Sequence, residues 1–183
     1  TTGKIIRQVL DWGRNPRWAF DYTKIIFEGD EEHPGIWMME KDGENLQRII
    51  EHGAMGSFCD ANKKLAFLEE KWGYGEEIYI FSFDTSLVET LPFSHIIALD
   101  WNKNGNKIGM INYSFNSLIV YSPNDDTILQ DVLLAEKCYR NSSGLKWQPL
   151  STYILISTGT SFWLIKEDGS EIIKILSSRK EEP

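Results

Sequence analysis

Acidic side chains and histidines are the residues of this sequence that could bind a charged ligand or a metal ion. Two acidic clusters stand out, and each is soon followed by an apolar run. Carboxylates attract basic partners by electrostatic complementarity, and together with imidazoles they can hold a divalent metal ion. The residues predicted to contact a binding partner are Glu31, Glu32, His33, His52, Trp72, Glu76 and His95.

A metal site is the sharper form of this hypothesis, with His52 and His95 as its weak candidate ligands. They occupy matching places in two successive sequence repeats, described below. No short-range ligand spacing such as His-x-x-x-His accompanies them, so the motif evidence for a metal is thin. The sequence therefore predicts neither a metal nor a cofactor.

Motifs of covalent and phosphate chemistry are missing from the sequence. There is no Gly-x-Ser-x-Gly nucleophile elbow and no glycine-rich phosphate loop. Cys59 and Cys138 are too few for a disulfide framework and too far apart for a zinc or redox motif, which predicts buried structural thiols. We predict no catalytic residue and favour a protein without enzymatic activity.

Length and composition limit the class of protein. A chain of 183 residues with 42% hydrophobic and 13% aromatic residues suits one globular domain rich in β-structure. No apolar run reaches the roughly 20 residues of a membrane helix, so we expect no membrane insertion. The net charge of −8 argues against nucleic acid as a partner, because phosphate binding requires a basic surface.

A repeated apolar run gives the architecture. The run Ile36–Met39 returns three times, at intervals of 42, 40 and 44 residues. Two more short apolar runs precede each copy, and a turn with a fourth run follows it, most clearly at Leu46–Ile50 and Ile172–Leu176. Runs of four to six β-branched or aromatic residues between turn residues predict strands rather than helices. Asp42-Gly43 and Asp168-Gly169 predict type I′ hairpin turns.

Four strands in each repeat of about 42 residues are typical of β-propeller blades. The stretch "GIWMMEKDGENLQRII" resembles the WD-like repeat of TolB-type propellers, and "LDWNKNGNKIGMI" resembles the beginning of such a blade. The resemblance covers about residues 17 to 176. It implies an all-β fold, but it specifies no activity, because this repeat occurs in binding proteins, gating domains of peptidases and lyases.

The predicted fold is an all-β β-propeller with four tandem four-stranded antiparallel blades. The blades span about residues 17–53, 54–93, 94–137 and 138–178, and residues 3–10 form one extra outer strand. This count leaves three arrangements open: a segment of a longer propeller, two copies joined in an eight-bladed ring, or four blades closed alone. The first residues carry no initiator Met and no signal-peptide core, from which we expect a longer parent chain.

The repeat also predicts the roles of aromatic and loop residues. Five tryptophans recur at repeat positions and are expected in the core between blades: Trp18, Trp37, Trp101, Trp147 and Trp163. The loops between the second and third strands of each blade share one face of a propeller with the connections between blades, which makes that face acidic and gives it all three histidines. We predict a non-catalytic scaffold that binds a protein or peptide, in particular a basic one, at this face. The alternatives are a metal-dependent propeller lyase and the gating propeller of a prolyl-oligopeptidase-type peptidase.

Overall fold

The computed structural model describes residues 8–71, 75–139, 143–149 and 151–177. These residues form sixteen β-strands in four antiparallel sheets, and none of them lies in a helix. Blade 1 contains β1 (Arg14–Ala19), β2 (Lys24–Glu28), β3 (Ile36–Glu40) and β4 (Gln47–Ile50). Blade 2 contains β5 (Ala54–Cys59), β6 (Lys64–Lys71), β7 (Gly75–Ser82) and β8 (Val88–Ser94).

The second half of the chain repeats this organisation. Each sheet pairs its strands in sequence order, as an up-and-down meander. Blade 3 contains β9 (Ile96–Trp101), β10 (Ile108–Asn112), β11 (Ser117–Ser122) and β12 (Thr127–Leu133). Blade 4 contains β13 (Ser143–Trp147), β14 (Tyr153–Thr158), β15 (Ser161–Lys166) and β16 (Ile172–Ser177).

The four sheets follow one another as the four blades of a β-propeller, which confirms the predicted all-β fold. Consecutive blades pack through their first strands, β1 on β5, β5 on β9 and β9 on β13. No strand of blade 4 packs to a comparable extent on a strand of blade 1 in the described part of the chain. Of the predicted extra strand, residues 3–7 lie outside the described residues, and residues 8–10 are not in a strand.

Three apolar clusters fill the spaces between consecutive blades. One joins blades 1 and 2, a second joins blades 2 and 3, and a third joins blades 3 and 4. The strands are rich in apolar and β-branched residues, and the side chains of these residues lie on the sheet faces where two blades meet. Cys59 and Cys138 are both buried, as the sequence predicts.

The tryptophans divide into three groups. Trp101 and Trp147 are 5% and 7% exposed and lie in the core between blades, as predicted. Trp37 and Trp163 are only partly buried. The prediction is wrong for Trp18, which is 53% exposed because no described sheet covers its side of blade 1.

The predicted type I′ turns are also wrong. Gly43 and Gly169 have positive φ angles of 91° and 69°, but Asp42 and Asp168 do not, whereas a type I′ turn requires both. In the first hairpin, Gly43 N–H donates to the Glu40 carbonyl at 2.9 Å, and Glu40 N–H donates to the Glu44 carbonyl at 2.9 Å. This pattern defines a three-residue loop in which only the glycine is left-handed.

Candidate functional site

Meander topology places alternate connections at the same edge of each blade. The β2–β3 and β6–β7 loops therefore share one edge with the connections between blades, and we call it the upper edge. His33 lies in the β2–β3 loop, and His52 and His95 lie in the connections that follow blades 1 and 2. All three histidines are thus on the upper edge, as the repeat predicts.

The β2–β3 loop folds into a compact turn around Asp30. Its Oδ1 accepts hydrogen bonds from the backbone N–H groups of His33 at 2.8 Å and Glu32 at 3.1 Å, and lies 3.0 Å from His33 Nδ1. The hydrogen bond with the His33 side chain is the main cause that lowers the pKa of Asp30. Gly29 N–H closes the loop by donating to the Gly35 carbonyl at 2.9 Å.

An aromatic stack fixes the outer side of this loop. The His33 ring lies parallel to Trp12, with centroids 4.2 Å apart and an interplanar angle of 11°. Trp12 meets Trp37 edge-on at 5.0 Å, and Trp37 Nε1 donates to the His33 carbonyl at 3.0 Å. His33 is therefore held as part of the loop, while the neighbouring Glu31 and Glu32 are exposed.

A cleft of about 550 Å³ opens on the upper edge between blades 1 and 2. Glu28 is buried at the end of β2, where its Oε2 accepts hydrogen bonds from Arg14 Nε at 3.2 Å and Asn15 Nδ2 at 3.0 Å. Three carboxylates, one guanidinium and one imidazole line the cleft, so its charge is negative when the imidazole is neutral. These groups belong to Glu28, Asp30, Glu69, Arg14 and His52.

The predicted site residues are brought together only in part. His52 lines the cleft beside Asp30, and Glu31 and Glu32 lie in the same loop as Asp30. His95 does not line it; its Nδ1 is 2.9 Å from Ser94 Oγ, and its ring packs on Tyr113. Trp72 and the side chain of Glu76 lie outside the described residues, so their roles stay predictions.

The described part of the chain does not support the hypothesis of a metal site. The described residues contain no group of three or more His, Cys, Asp or Glu side chains that could hold a metal ion. They also contain no helix long and apolar enough to cross a membrane.

The candidate list from the sequence misses four charged cleft residues, Arg14, Glu28, Asp30 and Glu69. Arg14 begins β1 and Glu28 ends β2, and the two residues pair directly in this antiparallel hairpin. The repeat therefore indicated that they lie on one edge, but not that they line a cleft with Glu69 of blade 2. It also misses a second cavity of about 360 Å³, which is lined by residues of all four blades. Arg17 of blade 1 and Lys146 of blade 4 both reach this central cavity.

Lys146 is held in the central cavity by a buried carboxylate. Its Nζ donates to Asp100 Oδ1 at 2.6 Å, and Ser57 Oγ donates to the same oxygen at 2.7 Å. Burial is the main cause that lowers the pKa of Lys146, and the positive charge of Arg17 acts in the same direction. The carboxylate of Asp100 opposes both effects by favouring the charged ammonium.

The fold is similar to those of several solved β-propellers. TolB from Acinetobacter baumannii superposes with a TM-score of 0.67 at 16% identity, covering 90% of this chain and 43% of its own. The β-propeller domain of the Trilobed protease from Pyrococcus furiosus gives a TM-score of 0.64 at 13% identity, covering 91% of this chain and 57% of its own. Pyrococcus horikoshii acylaminoacyl peptidase gives 0.61 at 14% identity, covering 91% and 32%.

These similarities confirm the resemblance to TolB-type propellers at the level of fold. The chain spans less than two thirds of each of these solved chains. No protein-family model matches the sequence, and none of the curated proteins compared with it does either. The chain is thus a β-propeller of TolB-like architecture.

Proposed function

We propose that this chain is a non-catalytic binding module that receives a basic protein or peptide segment in the cleft between blades 1 and 2. The observation that carries the proposal is the convergence of three carboxylates, Glu28, Asp30 and Glu69, on one cleft of about 550 Å³. Specific ligand pockets commonly occupy about 300–1,000 Å³, so the cleft has room for one or two long side chains.

Charge complementarity supports a basic partner. The chain carries a net charge of −8, and the exposed Glu31 and Glu32 add negative charge beside the cleft. Several negative charges in a concave site raise the local concentration of cations and accelerate their association. Glu28 already receives Arg14 and Asn15, so we assign the attraction mainly to the side chains nearer the rim.

A preorganised loop supports binding because little entropy is lost when the partner docks. The β2–β3 loop is closed by the Gly29–Gly35 hydrogen bond and by the stack of His33 on Trp12. Rigid contact residues bind with a smaller ordering cost than mobile ones do.

Fluorescence anisotropy with a fluorescein-labelled decapeptide of alternating lysine and glycine tests this proposal. We expect the double variant Glu32→Gln, Glu69→Gln to weaken binding at least about five-fold at low salt, because it removes one negative charge in the cleft and one beside it. His52→Ala, which trims the cleft wall, is expected to weaken binding about two-fold.

The matched control removes two negative charges from the opposite edge, by Glu44→Gln and Asp84→Asn in the β3–β4 and β7–β8 loops. It should leave the affinity within about two-fold of the unmodified protein. If the two double variants lost the same amount of affinity, net charge alone would explain the attraction, and a defined site would be refuted.

A second candidate function rests on the similarity to two peptidase propellers, the Trilobed protease domain and the acylaminoacyl peptidase. In this case the chain would be the propeller domain of a larger hydrolase. The reading frame of its gene decides between the candidates. A nucleophile elbow encoded in the same frame supports the peptidase function, and a frame without a hydrolase domain refutes it.

A further inference from the structure

The register of the blades shows what covers each sheet face. Arg17, Ser57, Asp100 and Lys146 are equivalent, because they pair with Ile26, Ala66, Gly109 and Leu155 in the second strands of their blades. Ile26 and Ala66 are almost completely buried against the following blade. Their equivalent in blade 4, Leu155, is 36% exposed.

The face of blade 4 that includes Leu155 is a continuous apolar surface. Leu155, Leu164 and Ile173 lie directly opposite one another across β14, β15 and β16. Phe162, opposite Ser157 on the same face, is 45% exposed. We call these four apolar residues the blade 4 end face. The corresponding residues of the third strands, Met38, Ile80 and Val120, are all buried beneath the next blade.

Blade 1 presents the complementary half of the same interface. Trp18 pairs with Ile25 in the register in which Trp101 pairs with Ile108 and Trp147 with Ile154. In blades 3 and 4 this tryptophan and its partner are buried against the preceding blade. In blade 1, Trp18 is 53% exposed and Ile25 is partly exposed. We call Trp18 and Ile25 the blade 1 end face.

The outer part of blade 1 is already covered by the chain itself. A Cβ on Gly43 would come within 2.1 Å of Val9 Cγ1, and a Cβ on the equivalent Gly169 would come within 3.0 Å of Val132 Cγ2. Val132 belongs to the outermost strand of blade 3. Val9 therefore takes the place of the outermost strand of a preceding blade and leaves only the inner part of this face open.

From these complementary surfaces we infer that a second copy of this chain docks head to tail, so that the blade 4 end face of each copy covers the blade 1 end face of the other. The interface continues the packing that already joins blades 1 to 4. A two-fold symmetric pair buries both end faces of both copies at once, whereas a single contact would leave two of them in water. The product is an eight-bladed ring.

This assembly is an equilibrium between one and two copies. The partner's outermost strand must displace Val9 from Gly43, so part of the binding free energy is spent on that exchange. The apolar residues of the end faces supply the driving force, because each is buried at the equivalent place in another blade.

Light scattering coupled to size exclusion, across a hundred-fold dilution series, measures this equilibrium. We expect a mass of twice 21.1 kDa at the highest concentration, falling towards 21.1 kDa on dilution. Leu155→Asp and Trp18→Asp should each weaken self-association at least ten-fold. Leu133→Asp is the matched control, because Leu133 is 76% exposed on the outermost strand of blade 3 and belongs to neither end face.

Mixing the two interface variants separates head-to-tail docking from other modes of association. A mixed pair of Leu155→Asp and Trp18→Asp copies retains one interface of two intact end faces, so the mixture should associate more tightly than either variant does alone. All three substitutions replace exposed or partly exposed side chains, so we expect the variants to fold. Thermal melts of dilute samples check this.

Two outcomes would overturn the inference. The first is a mass of 21.1 kDa at every concentration. In that case, other blades of a longer chain would cover the end faces. The second is a dimer that both interface variants retain, which places the contact on another surface.

Discussion

Asp100 in blade 3 and Trp147 in blade 4 are joined by two hydrogen bonds across the boundary between their blades. The backbone N–H of Trp147 donates to Asp100 Oδ2 at 3.1 Å, and its indole Nε1 donates to the Asp100 carbonyl at 2.9 Å. The other oxygen of the carboxylate receives Ser57 of blade 2 and Lys146 of blade 4. One side chain thus links three blades near the central cavity.

Replacing Asp100 by alanine is expected to lower the free energy of unfolding by about 2–4 kcal/mol, because it leaves buried donors without an acceptor. Urea denaturation followed by circular dichroism measures the change. Asp84→Ala is the matched control, since Asp84 makes an exposed ion pair with Lys63 that contributes less than about 1 kcal/mol. Equal losses of unfolding free energy in the two variants would contradict a structural role for Asp100 in linking blades 2, 3 and 4.

Two tryptophans at equivalent positions should differ sharply in their contribution to stability. Trp147→Ala is expected to cost about 3–5 kcal/mol, because it leaves a cavity in the core between blades 3 and 4. Trp18→Ala should cost less than about 1 kcal/mol when the protein is dilute, because Trp18 is mostly exposed there. Thermal or urea unfolding of both variants at micromolar concentration checks this, and similar losses would show that Trp18 is covered in the monomer.

The shape of the acidic loop depends on glycine at position 35. Gly35 has a φ angle of 102°, and a Cβ there would come within 2.1 Å of the Ile50 carbonyl oxygen. Gly35→Ala should therefore destabilise the protein by about 2 kcal/mol or more and weaken peptide binding at the cleft.

Gly144→Ala is the control for this backbone effect. Among the described residues, a Cβ at Gly144 would meet only Ser157 Oγ, at 3.2 Å, and the φ angle of Gly144 is not positive. Its free energy of unfolding should stay within about 1 kcal/mol of the unmodified protein. A Gly35→Ala variant as stable as this control would show that the loop adapts to a side chain.

Glu136 should make stability depend on pH in the acid range. It bonds Lys174 Nζ at 2.7 Å, Thr158 Oγ1 at 2.8 Å and Ser161 Oγ at 3.0 Å. These contacts, with that of Lys174 the largest, lower the pKa of Glu136 to about 2 from its ordinary 4.5. Between pH 4.5 and 2 the unfolded chain takes up the proton more readily, so the stabilisation is full above pH 4.5 and is lost as the pH falls to 2.

Thermal melts of Glu136→Gln test this pH dependence. We expect the variant to melt roughly 2 °C below the unmodified protein at pH 7, and the difference to vanish near pH 2. Glu44→Gln, at an exposed loop position, should show no such convergence. A difference that persists unchanged at pH 2 would mean that Glu136 acts through packing and not through its charge.

Local sequence predicted the strands and their number in each blade. Apolar β-branched runs such as Ile36–Met39 specify strands because alternate side chains must fill two opposed faces, and the glycines between them mark the turns. The same local information could not give the turn type at Asp42-Gly43, because it depends on the length of the hairpin loop. It did place the histidines on one edge, since meander topology follows from the repeat alone.

The sequence by itself thus determined a β-propeller with four four-stranded blades and an acidic upper edge. Only the tertiary structure decided that Glu28, Asp30 and Glu69 share a cleft, while His95 lies apart from it. It also decided that Trp147 is buried and Trp18 exposed. The physical reason is that strand propensity is local, whereas burial and charge pairing depend on which sheet packs against each face, and equivalent residues in different blades have different neighbours.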